Sequence, residues 1–189
     1  MGRHVKGTIF VDYVRMLRSR KDLDRNRYLE PADIPYLTSR IHPDAWYPME
    51  TFARFGLAIL DQVAQGDLFL VRAWGRASVD PLVRIHSGLL VEGDPRESLM
   101  RFLVLRSSFF DFDAVSIPLL SDGHASLHVH YGMISRAEQA ACFQTLGFFG
   151  RLVELAGGRG VLTSLTQRAW EGDPATVLAI DWTPPAGHV

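Results

Sequence analysis

The chain has 189 residues, 47% of them hydrophobic, and a formal net charge of −1. This length suffices for one well-filled domain, and the balanced charge argues against a protein whose main partner is nucleic acid or an anionic membrane. The single cysteine, Cys142, allows no internal disulfide, and no apolar run forms a signal peptide or approaches the roughly 20 residues of a membrane span. We therefore expect one cytoplasmic domain over residues 1–183 and a loose tail over residues 184–189.

The N-terminal half of the chain has the apolar spacing of amphipathic helices. Helices are predicted over Gly7–Leu17, from Pro48 to about Gln65, over Asp67–Ile85 with a break at Gly75-Arg76, and from Asp94 to about Ser108. The last of these has a strong start, because Asp94 can cap it and Pro95 suits the first helical position. The basic residues after Leu17 are interleaved with aspartates, which favours a solvated helix end over a nucleic-acid patch.

An aromatic cluster surrounds the start of the second predicted helix. It consists of Trp46, Tyr47, Phe52, Phe55 and Trp74. In one interpretation Trp46 and Tyr47 fold back onto the helix as a large apolar staple. In the other the cluster contacts a partner, because it offers more aromatic surface than one small core needs.

From Phe109 onward the apolar period changes to two, which is typical of strands. Strands are predicted over Asp113–Leu120, His124–Met133, Gly160–Arg168 and Thr176–Trp182, in two hairpins separated by a long helix. The predicted fold class is therefore α+β, with a helical N-terminal layer packed on a mainly antiparallel sheet of about four strands.

The long helix is predicted from about Arg136 to Ala156. Ser135 and Glu138 have the spacing of a capping box, and Gly157-Gly158 supplies the residues that end the helix.

Two glycines lie in the middle of this helix, Gly147 and Gly150. Each costs about 1 kcal/mol relative to alanine in a helix interior. Close approach of a neighbouring backbone explains that cost, and so does a bound ligand.

Three histidines, His124, His128 and His130, lie on or near one face of a predicted strand. They are candidate metal ligands, but their face is also the expected solvated side of a half-buried sheet. No carboxylate or cysteine joins this strand to complete a site, so no metal is predicted.

Catalytic motifs are missing from the sequence. It contains no nucleophile elbow, zinc-binding HExxH helix, phosphate-binding loop or dinucleotide fingerprint. Cys142 lies within the long helix without an identifiable base, which favours a buried structural thiol. No catalytic residue and no cofactor is predicted.

Several segments together resemble an uncharacterised paralogous family of myxobacterial proteins of about this length. They are Trp46-Tyr47-Pro48, the Gly75-Arg76 break, and the sequence ACFQTLGFFGRLVELAGG that precedes the last hairpin. The stretch from Cys142 to Trp182 is also similar to a superfamily of 4-vinyl-reductase domains, haem-based nitric-oxide sensors and TRAPP subunits. The resemblance implies a ligand-binding or partner-binding α+β module.

The haem-binding members of that superfamily have two features that this chain lacks. Their proximal histidine lies on the helix before the sheet, whereas Asp94–Ser108 contains no histidine. Their Tyr-x-Ser-x-Arg signature holds the haem propionates, whereas Tyr131, Ser135 and Arg136 have a different spacing here. The resemblance therefore does not lead us to expect haem.

The first functional hypothesis is a non-enzymatic module that binds a protein partner, or a second copy of itself, through its helical layer. The competing hypothesis is a small-molecule sensor with an apolar pocket between the long helix and the sheet. A reductase-type enzyme is a third, and it needs a cofactor that no motif indicates. The predicted contact residues are Trp46, Tyr47, Phe55, Trp74, Gly147 and Gly150.

Overall fold

The computed structural model describes residues 2–22 and 24–185. Its helices are α1 (Gly7–Arg18), α2 (Arg25–Tyr28), α3 (Met49–Gln62), α4 (Leu68–Ala77), α5 (Val79–Ile85), α6 (Pro95–Leu105) and α7 (Ser135–Leu155). Its strands are β1 (His4–Lys6), β2 (Trp46–Pro48), β3 (Val115–Leu120), β4 (His124–Val129), β5 (Arg159–Gln167) and β6 (Thr176–Thr183). The predicted α+β class is confirmed. Residues 186–189 of the predicted tail lie outside the described residues.

The four-stranded sheet has the order β3-β4-β6-β5, and each neighbouring pair of strands is antiparallel. Ala125, Leu127 and Val129 of β4 are buried, whereas the residues between them are partly exposed. The period of two in the sequence therefore did mark which side of the sheet faces the core.

The core joins the sheet to α7 and the helical layer. Leu127 and Leu178 from the sheet and Phe149 and Leu152 from α7 are almost completely buried in one cluster. Among the described residues, none of the helices combines the length and apolar character that crossing a bilayer requires.

Local helix-start signals were right in one case and wrong in two. Asp94 caps α6, since its Oδ1 accepts a hydrogen bond of 2.8 Å from the Glu97 amide. Pro48 precedes α3 as its N-cap instead of opening its first turn. Ser135 is the first residue of α7 and does not cap it, and the Glu138 carboxylate accepts from the Met133 amide.

Two further predictions need correction. Trp46 and Tyr47 belong to β2, which pairs antiparallel with β1, so they do not fold back as a staple. The break in the Asp67–Ile85 helix falls at Ser78, between α4 and α5, whereas Gly75 lies inside α4.

Candidate functional site

The predicted aromatic surface is mostly a core. Phe55 is fully buried and Tyr47 is 7% exposed, and the ring centroids of both lie 5.0 Å from that of Phe10. Trp74 is half-buried, and only Trp46 is well exposed, at 41%, with the Lys6 Nζ 4.3 Å above its ring. β1 and α1 pack over these aromatic residues, so the aromatic side chains form part of the core of the helical layer. The structure does not present them as one exposed surface.

Gly147 marks a contact between two helix backbones. A Cβ atom at Gly147 would overlap the carbonyl oxygen of Arg72, and a Cβ atom at Gly75 would overlap that of Gln144. The two helices α4 and α7 can approach this closely only because each carries a glycine at the crossing point. Close backbone packing, one of the two explanations for Gly147, is therefore right.

Gly150 faces the sheet instead of α4. The Thr163 Cγ2 of β5 lies 3.1 Å from the position of an added Cβ atom. A side chain therefore occupies the space in which the sequence placed a ligand pocket. Thr163 is held there by a hydrogen bond of 2.8 Å from the Arg72 guanidinium.

Ion pairs reinforce the contact between α7 and the α4–α5 pair. Arg76 donates two hydrogen bonds, of 2.9 and 2.7 Å, to the Glu154 carboxylate, and Arg151 donates two to Asp80. The hydrogen bonds from Arg76 hold the pKa of Glu154 below its usual value. This half of α7 is thus clamped from both helices of the pair.

The three histidines do not converge. His124 Nδ1 lies 2.7 Å from Oδ1 of Asp181 on the adjacent strand β6. Strand order places the Asp181 carboxylate beside His124, a neighbour that the sequence pattern did not indicate. The ring centroids of His128 and His130 are 6.2 Å apart. Among the described residues, no group of three or more His, Cys, Asp or Glu side chains could hold a metal ion.

Cys142 is a buried thiol, as predicted. It has no exposed surface, and burial raises its pKa well above the usual range of a cysteine. A thiol in this state is a poor nucleophile, because the thiolate is the reactive form.

A small apolar cavity of about 30 Å³ lies inside the helical layer. Trp74, Tyr13 and Gln144 contribute to its wall, and the Tyr13 hydroxyl donates to the Gln144 side chain at 2.6 Å. Burial raises the pKa of Tyr13. This volume suits about one water molecule.

A larger, open cleft lies at the N-terminal end of α7, and we call it the α7 cleft. It encloses about 290 Å³ between the segment before β1, the β4–α7 loop with the first turn of α7, and the β5–β6 connection. Its lining includes Arg3, His130, Ser135, Glu138 and Trp170.

Polar groups in the α7 cleft are held in unusual states. Glu138 is 7% exposed, and burial raises the pKa of its carboxyl group. The indole nitrogen of Trp170 is buried and has no hydrogen-bond partner among the described residues. No sequence motif indicates this cleft, because its walls come from three distant parts of the chain.

Solved structures of H-NOX proteins resemble this chain over nearly its whole length. A Cs H-NOX variant carrying 4-cyano-L-phenylalanine has a TM-score of 0.64 and 11% identity, covering 97% of this chain and all of that one. An H-NOX protein from S. oneidensis in the Fe(II)NO state has a TM-score of 0.62 and 13% identity, covering 94% and 99%. An unliganded Fe(II) variant from K. algicida has a TM-score of 0.63 and 13% identity, covering 96% and 98%. This chain has an H-NOX-like fold.

The H-NOX likeness extends beyond the C-terminal stretch in which the sequence placed it. At sequence identities of 11% to 13%, this likeness shows the fold alone. No protein-family model matches the chain, and no curated protein sequence matches it.

The side chains of this H-NOX-like chain do not fit a haem group between α6 and α7. Phe102 of α6 packs directly on α7, with its ring centroid 4.8 Å from that of Phe149, and Leu99 beside it is fully buried. No histidine lies on α6, and its one methionine, Met100, is 46% exposed. Haem iron needs an axial ligand that points into an enclosed pocket, and α6 supplies neither the ligand nor the space.

Proposed function

We propose that this protein is a non-enzymatic module that binds a small molecule in the α7 cleft without using haem. The observation that carries the proposal is the α7 cleft itself, because it combines an open volume with the buried Glu138 carboxyl group and the Arg3 guanidinium. Small-molecule sites are typically concave, with a few converging polar groups. The H-NOX-like fold supports the same function class by analogy only.

The other candidate ligand sites on the molecule are filled or too small, which favours the α7 cleft. Thr163 occupies the space beside Gly150, and the cavity in the helical layer has room for about one water. The volume of the α7 cleft, about 290 Å³, is close to the lower end of the range for known ligand sites, which is about 300 Å³. A ligand there would contact both α7 and the β5–β6 connection, because residues of both line the cleft.

Native mass spectrometry of the purified chain tests this proposal. We expect a bound small molecule in the unmodified protein, and no Soret absorbance after incubation with haemin. Ser135→Trp places a large ring in the cleft from an exposed position, so it should abolish the adduct. Ser107→Trp, at an exposed serine that does not line the cleft, is the matched control and should retain the adduct.

Two outcomes contradict the proposal. One is a Soret band with a haem stoichiometry near one. The other is a chain without any adduct whose melting temperature does not respond to a library of small metabolites.

Self-association through the helical layer, the first hypothesis from the sequence, has a narrower basis in the structure. Tyr47, Phe52 and Phe55 are buried in the core. The exposed aromatic residues that could contact a second copy are therefore Trp46 and Phe69, which is 76% exposed. Light scattering after size exclusion tests it. A dimer that Phe69→Ser dissociates supports self-association, and a monomer at high concentration contradicts it.

A further inference from the structure

Opposite charges face the α7 cleft from two separate elements. Arg3 comes from the segment before β1, and Glu138 comes from the first turns of α7. The positive charge of Arg3 acts on the Glu138 carboxyl group. Yet no ion pair joins the two side chains among the described residues, although both line the cleft.

Arg3 is held in place before any ligand arrives. Its Nη1 donates to the carbonyl oxygen of His130 at 2.8 Å, and its guanidinium carbon lies 4.9 Å above the Phe112 ring. Gly132, with a φ of 68°, makes room for it, since a Cβ atom there would overlap the guanidinium. In the described part of the chain, the guanidinium makes no other hydrogen bond. A fixed guanidinium with free donors is suited to bind a carboxylate with two parallel hydrogen bonds.

Glu138 is the complementary group. Its Oε2 accepts a hydrogen bond of 2.8 Å from the Met133 amide, and the side chain is 7% exposed. A buried carboxylate is costly unless a cation or several donors compensate it. The Met133 amide and the positive charge of Arg3 compensate it in part, and an ammonium group in the cleft would add to that compensation.

Trp170 completes the wall. Its ring, with Val129, Met133 and Pro174, offers apolar surface to a side chain. A purely anionic ligand would add no compensation to Glu138, and a purely cationic one would be repelled by Arg3.

We infer that the α7 cleft binds a free α-amino acid, with the ligand carboxylate on Arg3 and the ligand ammonium on Glu138. This inference rests on the proposed function, since it names the ligand class for the same cleft.

Calorimetric titration of the whole chain with each of the twenty free L-amino acids tests the inference. The best ligand is then compared with its deaminated acid and its decarboxylated amine. We expect each analogue to bind about tenfold more weakly or worse, because each loses one charge-assisted contact.

Two variants assign the contacts. Glu138→Gln should bind the amino acid no better than its deaminated acid, and Arg3→Gln no better than its amine. Arg96→Gln and Asp122→Asn remove an exposed pair outside the cleft, so they should retain the discrimination of the unmodified chain. Should a cleft variant fail to fold, the comparison of the three ligands on the unmodified chain still decides.

The two levels of proposal fail differently. An adduct that Ser135→Trp removes, combined with no binding of any amino acid, contradicts the inference that the ligand is an amino acid. The proposed function would still stand. Equal affinity for the amino acid and one analogue also contradicts that inference. A chain without any ligand overturns both.

Discussion

The two ends of α7 are built in opposite ways. Toward its C-terminal end, Gly147 lets the α4 backbone touch the helix, and Arg76 clamps Glu154. At its N-terminal end Arg136 pairs with Asp61 of α3, but on another side Glu138 lines the open α7 cleft. A close-packed contact resists displacement, whereas an open one can accept a molecule. The helix thus has one end that is close-packed on α4 and one end that borders the open α7 cleft.

The two glutamates of α7 report the same contrast. Arg76 hydrogen bonds lower the pKa of Glu154, whereas burial raises the pKa of Glu138. One carboxylate is stabilised in its charged form, and the other is held where its charge is unfavourable. A carboxyl group whose pKa is shifted in this way is a candidate for contacting a charged ligand.

The largest expected effect comes from breaking the close-packed end. Gly147→Leu must push α4 away from α7, because the new side chain overlaps the Arg72 carbonyl. We expect a loss of about 3 kcal/mol or more in the free energy of unfolding, measured with urea. Gly88→Ala is the control, since nothing lies within 4 Å of an added Cβ atom there, and it should be near neutral. A Gly147→Leu variant as stable as the unmodified chain would contradict the backbone contact.

A smaller effect is expected at the open end, from Glu138→Gln. Because the folded pKa of Glu138 is raised, its protonated form contributes stability that is present below the unfolded pKa and lost as pH rises through the folded pKa. The variant cannot ionise, so its stability relative to the unmodified chain should increase as pH rises through the folded pKa of Glu138, by on the order of 1 kcal/mol. Urea unfolding at several pH values measures this increase. A constant difference across those pH values would contradict the raised pKa.

The same substitution at the close-packed end should act with the opposite sign. The folded pKa of Glu154 is lowered, so its contribution is present above the unfolded pKa and lost as pH falls through the folded pKa. Glu154→Gln should cost about 0.5 kcal/mol at pH 7, because the pair is partly exposed. Carboxyl-carbon NMR titration should give Glu154 a lower midpoint than Glu138. The reverse order of midpoints would remove the contrast between the two ends.

The smallest effect is expected at Gly150. An added Cβ atom meets the Thr163 methyl group at 3.1 Å, which a small shift of that side chain relieves. Alanine also gains up to about 1 kcal/mol of helix propensity. Gly150→Ala should therefore change the melting temperature little, in contrast to Gly147→Ala. A large loss for Gly150→Ala would mean that the sheet holds α7 as tightly as α4 does.

Local sequence patterns predicted the helices and strands better than they predicted which of these elements pack against each other. The period of two along β4 and the Asp94 cap of α6 act between residues close in sequence, so they were correct. The Ser135 cap failed because the Met133 amide, outside the predicted box, takes the Glu138 carboxylate. The aromatic cluster failed as a surface because β1 and α1 cover it, and no periodicity shows which element covers which.

The sequence by itself determined the α+β class, the four strands of the main sheet and the long helix, and at Gly147 it left a backbone contact and a bound ligand as alternatives. These follow from hydrophobic period and from the cost of glycine in a helix, which depend on neighbours along the chain. Only the tertiary structure decided that Arg3, Glu138 and Trp170 line one cleft and that Asp181 pairs with His124. Such groups meet through strand order and helix packing, and their charge states depend on burial, which arises only when the whole chain has folded.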